Sequence, residues 1–85
     1  MIPIDTAIRH ILINSLGLDR NRVLNISDSD LFLNYFSEID SLALTNLLTA
    51  LEDHFGITID MDHLGPEVFE TFGQFCAFVA QQRAR

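Results

Sequence analysis

Apolar residues recur every three to four positions along much of the chain, which is the spacing of helices that bury one face. The first helix is predicted from a stripe of such residues between Ile4 and Ser15. Gly17 follows it, and helices commonly end in a residue that tolerates positive φ. A second helix is predicted from Asp40 and Ser41, residue types that favour a helix start, to Gly56. The two stripes consist of Ile4, Ala7, Ile8, Ile11, Leu12 and Ser15, and of Leu44, Leu47, Leu48, Leu51 and Phe55.

Two further helices are predicted in the last third of the chain. Gly65 and Pro66 interrupt the pattern, and Pro66 suits the first position of a short helix that reaches Phe69. Thr71, with Gln74 shortly after it, has the pattern of a capping box and predicts a last helix to about Gln82. The buried side of that helix is predicted to hold Phe72, Phe75, Cys76, Phe78 and Val79.

A long connection, from about Leu18 to Ile39, separates the first two predicted helices. Its apolar residues suggest that it packs across the helices, and the stretch 27–32 is predicted to start a short helical turn. Residues 57–59 alternate as a strand would, but with no strand to pair with we interpret them as an extended connector. The predicted fold class is all-α: a small four-helix bundle, with three longer helices, one short helix and a long loop between helices 1 and 2, in a single domain, 1–85.

The charge distribution narrows the classes of partner. The net charge is −7, and all five basic residues are arginines near the two ends. No Lys or Arg occurs between Val23 and Gln82, a span with ten acidic residues. Such a surface repels nucleic acid and anionic lipid headgroups and attracts proteins with basic patches, although acidic residues also serve solubility alone. We therefore expect protein partners and no nucleic-acid partner.

The sequence also bears on location. No apolar run approaches the length of a membrane-spanning helix, and the first residues lack the basic and apolar regions of a signal peptide. The single cysteine, Cys76, lies in an apolar run, so we expect a buried, unreactive thiol. These features predict a cytoplasmic protein without membrane insertion, and we expect a monomer.

The start of the second helix carries the candidate chemistry. Asp40-Ser41-Leu42 alone is a weak signal, because such residues at a helix start are usually just a cap. It is followed, however, by Leu-x-x-x-Leu-Glu at 47–52 and Phe-x-Ile-x-Ile at 55–59. This succession resembles the second-helix signature of the phosphopantetheine carrier superfamily, which includes acyl carrier and peptidyl carrier proteins. Chain length, acidity, helix order and the long first loop also fit that resemblance.

The resemblance implies a carrier, not an enzyme. A phosphopantetheinyl transferase would attach 4'-phosphopantetheine to Ser41, and the arm would carry an acyl or aminoacyl group as a thioester. Asp40 would position the serine and contact the transferase, and Leu42 would be an exposed apolar anchor, although a plain cap and core packing are the simpler roles of these two residues. Other partners would be an acyl- or aminoacyl-loading ligase and downstream synthase or transferase enzymes with basic docking patches. The remaining partner-binding candidates are Thr45, Asn46, Thr49, Glu52 and Asp53.

Two departures from the family pattern affect the interpretation. Glu38 stands where many members have Gly, two residues before the Asp, and Asn46 stands where fatty-acid carriers have a glutamate. With Thr45 and Thr49 nearby, the presumed docking face is rather neutral. We interpret the chain as a specialised carrier of a fatty-acid, polyketide or related pathway. The alternatives are a stand-alone peptidyl or aminoacyl carrier, or an unmodified carrier-fold interaction domain.

Catalytic and metal functions are disfavoured. His54 lies on the same predicted helix as Ser41 but thirteen residues later, or roughly 20 Å away, which is too far for a nucleophile and its base. His63 is not placed by the sequence, and there is no Gly-x-Ser-x-Gly motif. Asp60, Asp62 and His63 match no dedicated metal-binding spacing. We therefore predict no catalytic residue and no metal site.

The sequence leaves open where the cargo of such a carrier would lie. A small cavity between helices could shelter an acyl chain. Alternatively, the many phenylalanines could fill that space and leave the cargo outside. The residues that would line such a cavity are Leu47, Leu51, Phe72 and Phe75.

Overall fold

A computed structural model describes residues 3–59 and 64–83 of the protein. The regular secondary structure of those residues is almost entirely helical. Within those ranges there is no β-strand, only an isolated antiparallel bridge between Leu31 and Thr71. The predicted all-α bundle is confirmed, and a short 3-10 helix occupies the place of the predicted short helix. The elements are α1 (Ile4–Leu16), α2 (Arg20–Asn25), α3 (Phe32–Tyr35), α4 (Ser41–Phe55), the 3-10 helix (Pro66–Phe69) and α5 (Phe72–Arg83).

The two long helices of the first half end where the glycines predict. Gly17 and Gly56 adopt left-handed backbone conformations, with φ of 67° and 64°, and terminate α1 and α4. The buried residues of α4 are Leu47, Leu48 and Leu51, as its stripe predicts. In α1 the prediction was wrong at one position, because Ser15 is exposed and the buried side ends at Leu12.

The long connection is more helical than predicted. It contains α2 and α3, whose six and four residues are too few to produce a recognisable periodic pattern. The side chain of Asp19 begins α2 by accepting a hydrogen bond from the Arg22 backbone N–H at 3.1 Å. Residues 57–59 are extended and unpaired, which agrees with the predicted connector.

Backbone hydrogen bonds fasten this connection to the beginning of α5. Phe72 N–H donates to the Asp30 carbonyl at 3.0 Å, and Gly73 N–H donates to the Asp28 carbonyl at 2.9 Å. Gln74 N–H donates to Thr71 Oγ1 at 3.1 Å, which is half of the predicted capping box. The N–H groups of Phe72 and Gly73, which a helix start normally leaves unpaired, are thus satisfied by the connection.

Aromatic residues fill the centre of the bundle. Phe32, Phe36, Phe72 and Phe75 have no exposed surface. The Phe32 ring stacks on Phe75 with centroids 5.0 Å apart and meets Phe36 and Phe72 at 6.0 Å. Cys76 is buried, as predicted, and burial raises the pKa of its thiol to about 12, so the thiol stays protonated.

Gly73 is predicted to be required for this packing. A Cβ at this position would lie 2.9 Å from the Asp28 Cβ and 3.0 Å from the Asp28 carbonyl oxygen. We expect Gly73→Ala to lower the free energy of unfolding by about 1–3 kcal/mol, measured by urea denaturation. Helix propensity alone predicts the opposite, a gain of about 1 kcal/mol, so a stabilised variant would contradict the close approach.

Candidate functional site

The site is built at the first turn of α4. Asp40 is the N-cap, and its side chain accepts a hydrogen bond from Ala43 N–H at 2.8 Å. Ser41 is therefore the first helical residue, and it is exposed. The cap satisfies one of the N–H groups that a helix start leaves without an intrahelical partner, and the others remain near the serine.

This environment fits a phosphate ester on the serine hydroxyl. The N-terminus of a helix carries a partial positive charge and free N–H donors, both of which favour an attached phosphate. The Ser41 side chain is exposed, so a second protein can reach its oxygen. The residues that would hold the group are thus Ser41, by a covalent bond, and the first-turn backbone that Asp40 fixes.

Leu42 is more than a helix-start residue in this structure. Its side chain is 69% exposed, the largest value among the exposed large hydrophobic residues described. The core-packing role is therefore excluded, and an apolar side chain lies in solvent next to Ser41. Such exposure is the property that an anchor for a partner protein requires.

The exposed face of α4 beyond Leu42 is largely uncharged. Thr45, Asn46 and Thr49 are exposed, and the Thr45 hydroxyl donates to the Ser41 carbonyl at 3.0 Å. The two acidic candidates differ in their surroundings. Asp53 is exposed near the C-terminal end of α4. Glu52 is half-buried and accepts a hydrogen bond from Ile59 N–H at 2.8 Å, so it holds the following connector.

An ion pair that the sequence did not reveal lies beside the site. Arg22 Nη1 and Glu38 Oε2 are 2.5 Å apart, and the Arg22 guanidinium also donates to the Tyr35 carbonyl. In return, the Tyr35 hydroxyl donates to the Arg22 carbonyl at 2.8 Å. The hydrogen bond from Arg22 holds the pKa of the Glu38 carboxyl below its ordinary value. These contacts join α2 to the segment that leads into Asp40.

Alternative sites receive no support from the geometry. Ser41 and His54 both lie on α4, separated by about 20 Å of helix, as predicted. Asp60, Asp62 and His63 lie outside the described residues. Among residues 3–59 and 64–83, no group of three or more His, Cys, Asp or Glu side chains is arranged to hold a metal ion. None of the helices in those ranges has both the length and the apolar character needed to cross a membrane.

Comparisons with known proteins agree with this geometry. The family model described as "Phosphopantetheine attachment site" matches residues 6–79. The solution NMR structure of a holo acyl carrier protein from Nitrosomonas europaea superposes with a TM-score of 0.82 and 33% sequence identity, over 100% of both chains. Comparison with curated protein sequences gives no significant match.

The chain therefore belongs to the phosphopantetheine attachment-site family, as an acyl carrier protein. Proteins of this class are carriers and not catalysts, and their cofactor is covalently attached 4'-phosphopantetheine. They interact with phosphopantetheinyl transferases and with synthase enzymes.

The N-cap has a measurable role in stability. We expect Asp40→Ala to lower the free energy of unfolding by about 1 kcal/mol in urea denaturation, because the Ala43 N–H loses its acceptor. Asp40→Asn keeps an acceptor and should retain most of that stability. Equal losses in the two variants would contradict the capping role.

The Arg22–Glu38 pair predicts a specific pH dependence. Because the folded-state pKa of Glu38 lies below its ordinary value of 4.5, its contribution to stability is present above about pH 4.5 and is lost as the pH falls through the folded-state value. We expect the melting temperature of Glu38→Gln to lie below that of the native protein at neutral pH and to approach it in acid. Arg22→Gln should lower the melting temperature at neutral pH in the same way, because it removes the same ion pair, and this loss should also shrink in acid. A difference between native and Glu38→Gln that does not change with pH would contradict the ion pair.

Proposed function

We propose that Ser41 is the residue that carries 4'-phosphopantetheine, and that the protein shuttles an acyl group between partner enzymes. The observation that supports this most directly is the exposed serine at a capped helix start, beside an exposed Leu42. The Asp-Ser-Leu motif lies within the residues that the family model matches. The acyl cargo rests on the similarity to the holo acyl carrier protein from Nitrosomonas europaea.

The residues of the site have distinct roles in the proposed function. When bound, the phosphopantetheine arm supplies a terminal thiol that holds the cargo as a thioester. Asp40 fixes the backbone of the first turn, and so sets the position of the Ser41 hydroxyl when a transferase approaches. Leu42 provides an apolar contact next to the reacting oxygen. The chain contributes position and recognition, and the partner enzymes contribute the bond chemistry.

The neutral face of α4 supports a specialised pathway of fatty-acid, polyketide or related synthesis. A partner that docks on a row of carboxylates would find Asn46, Thr45 and Thr49 instead. Loading and downstream enzymes dedicated to this carrier would recognise that face together with Leu42. Basic patches on those enzymes would meet Asp40 and Asp53, the exposed acids at the two ends of α4.

The unmodified interaction domain is less well supported once Glu38 is placed. The argument for that alternative is Glu38, which stands where many family members have Gly. In the structure Glu38 binds Arg22 at the surface, with its side chain 45% exposed, and leaves Ser41 accessible. The departure therefore has a structural role that is compatible with modification.

Intact mass spectrometry tests the proposal. The purified protein is incubated with coenzyme A, magnesium and a broad-specificity phosphopantetheinyl transferase. We expect the native chain to gain one phosphopantetheine and Ser41→Ala to gain none. The control is Ser37→Ala, which removes another exposed serine close in sequence. This variant should still gain one phosphopantetheine. A folded native chain that gains nothing from several active transferases would favour the unmodified domain.

A further inference from the structure

The short segment 36–40 links α3 to α4 and places Ser41 at the start of that helix. Phe36 is buried at one end of the segment, and Asp40 caps α4 at the other. Glu38, between these two ends, is exposed. Exposed segments with few buried contacts are the parts of a protein that open most easily. The contacts of Glu38 therefore bear on how firmly the backbone before Ser41 is held.

Two hydrogen bonds join the Glu38 carboxylate to α2. Arg22 Nη1 donates to Glu38 Oε2 at 2.5 Å, and Arg22 Nη2 donates to Glu38 Oε1 at 3.3 Å. The same Nη2 also donates to the carbonyl of Tyr35, the last residue of α3. Two-pronged pairs of arginine and carboxylate fix direction as well as distance. One guanidinium thus joins α2 both to the end of α3 and to the segment before α4.

The arginine of this pair is itself held in place. Its guanidinium lies 5.3 Å from the ring centroid of Phe36 and 5.8 Å from that of Tyr35. Its backbone N–H donates to the Asp19 carboxylate at 3.1 Å, and its carbonyl accepts from the Tyr35 hydroxyl at 2.8 Å. An isolated surface pair contributes little, because two long side chains must be ordered to form it. Since these contacts already order Arg22, it binds Glu38 at a smaller cost in conformational entropy.

The backbone at Glu38 does not require the glycine that many family members have there. Among the residues that the structure describes, positive φ occurs only at Gly17 and Gly56. The position is therefore open to a residue with a side chain, and this chain uses it for the contact with Arg22. Since no Lys or Arg occurs between Val23 and Gln82, the cation comes from outside that span, and α2 supplies it.

We propose that Arg22 and Glu38 are positioning residues for the modification of Ser41. Their pair holds the segment 36–40 in the conformation from which a phosphopantetheinyl transferase recognises the serine hydroxyl. Without the pair, the segment samples other conformations, and the transferase binds only the fraction of molecules that remains competent. The proposal rests on the proposed attachment at Ser41 and adds two residues that lie outside the Asp-Ser-Leu motif.

Steady-state kinetics of a broad-specificity phosphopantetheinyl transferase test this role, with coenzyme A saturating. The variants are Glu38→Gln, Arg22→Gln and the double variant, assayed at a temperature where circular dichroism shows each chain to be folded. We expect Glu38→Gln to raise KM for the carrier about 3-fold, with kcat nearly unchanged, because fewer molecules are competent to bind. Arg22→Gln should raise KM about 5-fold, since it also loses the bond to the Tyr35 carbonyl. The double variant should resemble Arg22→Gln, because Glu38 then has no partner left to lose.

The pattern across the variants separates positioning from direct contact with the transferase. If Glu38 touched the transferase, Glu38→Gln would raise KM and Arg22→Gln would not. If Arg22 bound the phosphate being transferred, only Arg22→Gln would have an effect. Either pattern, or losses that add in the double variant, would overturn the proposal. The matched control is Asp5→Asn, which removes one carboxylate from the surface pair with Arg9 in α1 and should keep the native KM.

Amide hydrogen exchange provides a readout that does not involve the transferase. Ile39 N–H donates to the Phe36 carbonyl at 3.0 Å within the segment, and this amide should exchange faster in both single variants than in the native chain. Variants that melt at a lower temperature but keep native KM and native exchange at Ile39 would show a merely structural pair and overturn the proposal. A native chain that gains no phosphopantetheine contradicts the proposed function. A native chain that is modified, with a KM that neither substitution changes, contradicts only the positioning role.

Discussion

The stacking of Phe32 on Phe75 joins the long connection between α1 and α4 to the last helix. A helix as short as α3, with four residues, has no appreciable stability by itself, so its position depends on such tertiary contacts. Phe32 N–H also donates to the Glu70 carbonyl at 3.3 Å, next to the isolated bridge between Leu31 and Thr71. Because only residues 36–40 separate α3 from α4, the position of the first turn of α4, which carries Ser41, depends on this junction.

A continuous set of contacts leads from that buried junction to the exposed serine. Phe36 is buried, and its carbonyl accepts a hydrogen bond from Ile39 N–H at 3.0 Å. Glu38 then binds Arg22, and Asp40 caps the helix that Ser41 begins. The backbone is therefore held on both sides of Ser41, while its side chain and that of Leu42 stay in solvent. A fixed backbone with an accessible hydroxyl is what a modifying enzyme needs in order to recognise one serine.

The parts of the fold that the sequence predicted are those with local signals. The long apolar stripes and the glycines at 17 and 56 predict α1 and α4, and Thr71 and Gln74 predict the start of α5. The helices α2 and α3 are too short for such a pattern, and the Arg22–Glu38 pair joins residues sixteen apart that no periodicity relates. Ser41 could be singled out from its motif, whereas the exposure of Leu42 depended on how α4 packs. The filling of the core by phenylalanines required the three-dimensional arrangement of three separate segments.

Peptide mapping of the loaded protein is the most direct test of attachment at Ser41. The native chain is loaded by a transferase, digested and analysed by tandem mass spectrometry, which locates the added group on an individual residue. We expect a single modified position, Ser41, with unmodified forms of Ser37, Thr45 and Thr49. A phosphopantetheine on any of those neighbours, or on a serine of the long connection, would contradict it.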